Sequence, residues 1–255
     1  MRIGKQDDAF SAIATSDADT ITVRGRDLCR DLIGKIDFTA YFWLLVTGIE
    51  PDERQAMLAN AVLVAIAEHG LVPSVAAARM TYAAAPEAFQ GAVAAGLLGC
   101  GSVVLGSAEA AGRFLADLVA GDAPVAPALQ ALRAERRAIP GFGHPQHAGG
   151  DPRAERLLQL AAEQGVAGAH VAMLRAVEAA IPGVLGRVLP INVNGAIPAV
   201  MLDAGFPLAA LKGIALLART AGLIGHLQEE SHRPIGFILA GEAADAISYD
   251  GPGSR

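Results

Sequence analysis

Apolar residues recur along this chain at three- and four-residue intervals, and no stretch keeps the alternation of a half-buried strand. Gln55, Leu58, Ala61, Val62, Ala65 and Ile66, for example, trace one face of a helix. Glycine and proline break the pattern repeatedly, so the chain divides into a series of such segments. Their faces are filled mainly by Ala, Leu and Val, and aromatics supply only 5% of a chain that is 53% hydrophobic. Small side chains let helices approach closely. The expected fold class is therefore all-α, and 255 residues are ample for a buried core.

The spacing predicts helices over Asp27 to Ile33, Phe38 to Thr47, and from Pro51-Asp52 to the break at Glu68-His69-Gly70. Val72 to Ala84, Glu87 to Leu98, Ser107 to Ala120 and Pro127 to Ala138 follow. Further along come Pro152 to Glu163, Val166 to Ala180, Ala196 to Ala204 and Leu208 to Glu229. Residues 1–21 read as an arm with little regular structure, and the segment after Pro234 as a polar tail. No repeat or linker divides the chain. The expectation is a single domain, 1–255, with a smaller helical lobe over approximately 127–185.

Several function classes recede on composition. A formal charge of −6 argues against nucleic acid and against an anionic membrane as partner. The uncharged run from Ala88 to Ala108 contains Gly91, Gly96, Gly99, Gly101 and Gly106, which suits helix packing inside a soluble protein better than a membrane span. No basic-then-apolar leader opens the chain, so the cytoplasm is the expected location. Cys29 and Cys100 match no disulfide or metal spacing, and no histidine pair has the metallohydrolase arrangement; no metal is expected. Neither a nucleophile elbow nor a phosphate-cradling glycine loop is present.

What remains is a set of cations at breaks in the apolar pattern. Gly141-Phe142-Gly143-His144 allows a sharp bend that presents an imidazole. Asp151 suits the N-cap of the next helix and Pro152 its first turn, which sets Arg153 at the helix mouth. His69 lies at another helix end, Arg219 and His226 share a helix face seven residues apart, and Arg233 follows that helix. Each has an ordinary explanation alone, as a cap, a paired core charge or a surface cation. Together they suit a small polycarboxylate, whose carboxylates favour bidentate arginine.

These motifs resemble the citrate synthase superfamily. The resemblance rests on Gly141-Phe142-Gly143-His144 with Asp151-Pro152-Arg153, on Asn192-Val193-Asn194-Gly195, and on Ala218-Arg219-Thr220-Ala221-Gly222-Leu223-Ile224-Gly225-His226 with Arg233-Pro234. It spans about His69 to Pro234. Ala67-Glu68-His69-Gly70 and Ala94-Ala95-Gly96-Leu97-Leu98 are most similar to the short citryl-CoA lyase branch, which includes the C-terminal module of ATP-citrate lyase. The larger synthases carry a further histidine where this chain has Gly101-Ser102-Val103-Val104-Leu105-Gly106, and its absence favours a lyase.

The resemblance implies a two-lobed homodimer with a shared active site. The implied reaction is a reversible Claisen cleavage of citryl-CoA to acetyl-CoA and oxaloacetate, with coenzyme A entering as the thioester. It further implies that His69, His144 and Asn194 occupy the catalytic positions and that Arg153, Arg219, Arg233 and His226 bind substrate. Gly141, Phe142 and Gly143 would flank the coenzyme A portion. Two departures stand out. Asn194 replaces the family's acid–base aspartate, and a carboxamide donates a hydrogen bond but does not cycle a proton. A neighbour such as Glu229, or water, would have to substitute. Pro145-Gln146-His147-Ala148 also lacks the basic, aromatic stretch that helps hold coenzyme A. The alternatives are a related hydroxy-polycarboxyl-CoA substrate such as a methylcitryl ester, or a citrate or oxaloacetate binder without turnover.

Overall fold

The computed structural model describes residues 9–101, 106–121, 124–143 and 149–252. Contacts divide the chain into two compact units, one ending at Asn60 and the other beginning at Ala61. The first holds the departure from the expected N-terminal arm. Ala14–Ser16 (β1), Ile21–Val23 (β2) and Arg26–Asp27 (β3) form an antiparallel sheet in the order β1-β2-β3. Asp17 shapes the first turn by accepting the Asp19 and Thr20 amides at 2.9 and 2.8 Å. Arg24 and Gly25 make the second with left-handed backbone, φ 50° and 80°. Strands of two or three residues are too short to show alternation in sequence.

Leu28–Leu32 then forms one wide helical turn, closed by the Ile33 amide donating to the Leu28 carbonyl at 2.9 Å. Helix α1, Phe38–Thr47, starts where the Asp37 side chain accepts the Ala40 amide and ends at left-handed Gly48. Val23, Leu32 and Leu44 form this unit's buried core. Helix α2, Glu53–Ala67, carries the chain across the division.

In the second unit α3 (Pro73–Ala84) and α4 (Phe89–Leu98) pack together, and α10 (Leu211–Glu230) lies on both. Their shared core is Val75, Ala78, Ala92, Leu223 and Leu227. Helix α9, Val193–Asp203, is buried on nearly every side beneath α5 (Ser107–Ala120), α7 (Pro152–Glu163) and α8 (Ala169–Leu185). Helix α6, Val125–Ala134, packs on α8. Among the described residues only α10, with the short turn before it, is long and apolar enough to cross a membrane by length and composition. It carries Arg219 at 3% exposure and packs against α3, α4 and α5.

Most helix boundaries follow the apolar spacing, and the exceptions have identifiable causes, some local and some from another helix. Helix α6 begins before Pro127, which its first turn tolerates, and the chain leaves it through Arg136 at φ 54°. Helix α8 runs through Pro182 to Gly186 at φ 70°, beyond the Ala180 limit that a proline suggests. Its start is set from α9, where the buried Asp203 carboxylate accepts the amides of Gly168, His170 and Val171 at 2.6, 3.0 and 3.0 Å. The same carboxylate also lies 2.8 Å from His170 Nδ1. The expected polar tail is instead helix α11, Gly236–Ala246, packed on α3. Its first amides, Ile235 and Gly236, donate to the Glu230 carboxylate of α10 at 2.9 and 2.7 Å.

Asp203→Ala removes the acceptor shared by those three amides. The expected loss is about 1–3 kcal/mol of unfolding free energy, read from the denaturant midpoint, and an unchanged midpoint would refute the cap.

Candidate functional site

The candidate residues fall into two groups, both within the second unit. The first gathers around the start of α9. The Asn192 side chain accepts the amides of Asn194 and Gly195 at 3.0 and 3.2 Å, so the helix begins three residues before the expected Ala196. The central loop is laced to this turn. Gly143 donates to the Pro190 carbonyl at 2.8 Å, and Asn192 donates its amide to Gly141 at 3.0 Å and its carboxamide to Gly143 at 2.6 Å. Gly141 and Gly195 meet face to face. A Cβ on Gly141 would sit 2.7 Å from the Gly195 Cα, and one on Gly195 would sit 2.5 Å from the Gly141 carbonyl oxygen. Gly141 and Gly143 hold φ of 89° and 76°, which side chains disfavour.

Asp151 ties α7 into the same knot. It caps α7 as expected, accepting the Arg153 amide at 3.1 Å, and its other oxygen accepts the Val193 amide of α9 at 3.0 Å. The Arg153 guanidinium grips the carboxylate through Nε and Nη2 at 3.0 and 2.9 Å. Burial pushes the Asp151 carboxyl upward, but Arg153 and the Val193 amide outweigh it and hold the group below the usual range. Arg153 and the half-buried Asn194 are thereby brought to one place, at the positive end of two helices. Phe142 packs inward at 8% exposure and bridges Ile191. His144, the expected imidazole of this loop, lies outside the described residues.

The second group surrounds the end of α10. Glu68, after the last turn of α2, accepts the amides of His69 and Gly70 on Oε1 at 2.8 and 2.5 Å. This turn lies against α10 at Gly222, where a Cβ would be only 2.0 Å from the Ala67 carbonyl oxygen. His226 Nε2 is buried and lies 2.9 Å from Glu68 Oε2, within ion-pair distance. Burial again opposes ionisation of Glu68, and His226 with the Gly70 and His69 amides holds its carboxyl low.

Arg79, at 3% exposure on α3, was not singled out by the sequence and anchors this group. It bonds Glu230 and Glu229 at 2.6 and 2.8 Å and donates to the Arg233 carbonyl at 3.2 Å. The available signal was one arginine on a helix face otherwise made of Ser74, Val75 and Ala78. Arg79 holds the exposed Glu229 carboxyl low. Arg233 is exposed, with its backbone fixed and its guanidinium on the surface.

Arg219 sits two turns before His226 on α10. It is 3% exposed, and among the described residues its Nε and Nη1 have no hydrogen-bond partner. Buried guanidinium nitrogens without an acceptor are costly, and a bound anion would relieve that cost. Among the described residues no group of three or more His, Cys, Asp or Glu is arranged for a metal.

The chain matches the citrate synthase C-terminal domain over residues 10–236. It belongs to the citrate synthase family. Within that family the structure is similar to citryl-CoA lyase from Hydrogenobacter thermophilus, with a TM-score of 0.88, 30% identity, and coverage of 100% of this chain and 97% of that one. It is also similar to an ATP citrate lyase from Methanosaeta concilii solved with (3S)-citryl-CoA, at TM-score 0.83 and 22% identity. There 99% of this chain matches 43% of the longer protein. Citrate synthase from Thermotoga maritima follows at TM-score 0.68 and 20% identity, over 86% of this chain and 59% of that one. No curated protein sequence matches. The helical citrate synthase fold expected from the motifs is therefore the one found.

The carboxyls of Asp151 and Glu230 are both depressed relative to 3.8 and 4.5. Their stabilising contribution is thus complete above those unfolded values and disappears as pH falls through the lower folded ones. Unfolding free energy is expected to be level near neutrality and to fall in acid, and Glu230→Gln is expected to flatten that acid slope. A variant with the parental slope would separate Glu230 from the acid transition.

Proposed function

We propose that this protein is a citryl-CoA lyase-type enzyme that cleaves citryl-CoA reversibly to acetyl-CoA and oxaloacetate. The observation that carries this reading is Arg219, a buried guanidinium with two nitrogens unpartnered among the described residues, in a chain similar over its full length to a citryl-CoA lyase. A substrate carboxylate would supply the missing acceptor in a bidentate geometry. Arg153 would hold a second carboxylate with the donor it does not spend on Asp151. Arg233, on the surface, would serve the site of a second copy in a homodimer.

In the cleavage direction the tertiary hydroxyl of the citryl group loses its proton, to His144 in this reading. The C2–C3 bond breaks, oxaloacetate leaves as the ketone, and the electron pair forms the thioester enolate. Protonation of the enolate carbon gives acetyl-CoA. Asn194, in the first turn of α9, would donate a hydrogen bond to the enolate oxygen at the helix's positive end. The final proton would come from water or from a neighbour such as Glu229, because the Asn194 carboxamide does not cycle a proton. Asn194 also favours a second reading, a citrate or oxaloacetate binder without turnover. Oxaloacetate release from citryl-CoA, followed by a coupled dehydrogenase, decides between them.

Asn194→Asp is expected to raise the cleavage rate, by as much as about 10²–10⁴-fold, since it restores a positioned acid–base. A rate that stays level or drops would remove Asn194 from that position. Arg219→Ala is expected to weaken citrate binding by roughly 2–5 kcal/mol in calorimetry. Equal affinity would take Arg219 out of the site.

A further inference from the structure

The proton on His226 is fixed by a neighbour that cannot accept one. An arginine side chain only donates. Arg79 Nη1 lies 3.2 Å from His226 Nδ1, so Nδ1 must present its lone pair, and the ring proton sits on Nε2. That nitrogen is buried and lies 2.9 Å from Glu68 Oε2. Beyond Glu68, the same carboxylate holds the His69 and Gly70 amides. Arg79 cannot swing away from the ring, because its Nε is tied to Glu230 at 2.6 Å and its Nη2 to the Arg233 carbonyl at 3.2 Å. Nη1 has two hydrogens and two neighbours on α10, the Glu229 carboxylate at 2.8 Å and the imidazole, so the ion pairs with Glu230 and Glu229 leave one donor for the ring.

We propose that Arg79 is a positioning residue for the site, setting His226 as an Nε2–H donor and, through His226 and Glu68, fixing the turn that bears His69. His226 then directs its Nε2–H at the Glu68 carboxylate, so the His69 turn is held where a site ligand would meet it, and with its proton on Nε2 the imidazole does not act there as a base. The ligand, a citrate-type polycarboxylate, rests on the function proposed above; the proton placement does not. Lysine in place of Arg79 keeps a positive charge for Glu230 but lacks the fork that reaches the ring and the Arg233 carbonyl together.

The test begins with ¹⁵N-histidine NMR of the full chain at neutral pH, with the His226 resonances assigned by their loss in His226→Gln. A neutral ring protonated on Nε2 is expected, and protonation on Nδ1 or on both nitrogens overturns the proposal. In Arg79→Lys, folded by its cooperative unfolding, a mixture of tautomers is expected, with citrate affinity by calorimetry lowered about tenfold. A single Nε2–H tautomer or parental citrate affinity in that variant overturns it. If Arg79→Lys fails to fold, the parental NMR measurement still decides the proton placement. A parental protein that binds no citrate counts against the proposed function, and the NMR result stands independently of it.

Discussion

A guanidinium sealed among apolar helices has to be matched by charge, and this protein solves that requirement in two ways. Arg79 is matched from within. Glu230, itself buried, faces it directly, and Glu229 reaches the same fork from the rim. Removing one partner from such a pair would strand the other charge, so α3 and the end of α10 depend on each other. The Glu230 carboxylate also starts α11, and the Arg79 fork holds the Arg233 turn. One buried pair therefore organises three helices and a turn. Arg219 has no such internal match for Nε and Nη1 among the described residues. Two equally buried arginines thus differ in whether the described residues supply their acceptors.

The remaining geometry is built by bringing backbones together rather than by long side chains. Gly141 against Gly195, and Gly222 against the Ala67 carbonyl, are approaches that a single methyl group would prevent. The first places the central loop on the opening turn of α9, and the second places the His69 turn on α10. Carboxylates and a carboxamide then take up the amides that the helix starts leave open: Asp151 for α7 and α9, Asn192 for α9, and Asp203 for α8. The N-termini of α7 and α9 thus meet at Asp151, while that of α8 is held at the opposite end of α9 by Asp203.

Much of the fold and part of the site were legible in the chain. Helices α1, α5 and α7 begin and end where their apolar spacing and caps indicate, because amphipathic period and capping are local. The N-terminal sheet was not legible, since its strands of two and three residues carry no period to detect. The C-terminal helix was missed because its cap comes from Glu230, on another helix, and its exposed Phe237 and Ile238 give no clean polar face. Arg219, Arg153 and His226 stood out as cations in an apolar setting. Arg79 stood in the same kind of setting and passed unnoticed.

The sequence by itself determined the helical class, the family and the identity of the polar groups near the site, because periodicity, caps and motif spacing are properties of neighbours along the chain. Only the tertiary structure decided which of those groups are already satisfied. Arg79 and Arg219 are each a lone arginine in an apolar helix, and nothing local separates them. The difference is that the chain brings Glu230, 151 positions further on, against one of them, while two nitrogens of the other face no described acceptor. Whether a buried charge is structural or open to a ligand depends on contacts between distant segments, and those exist only once the helices have packed.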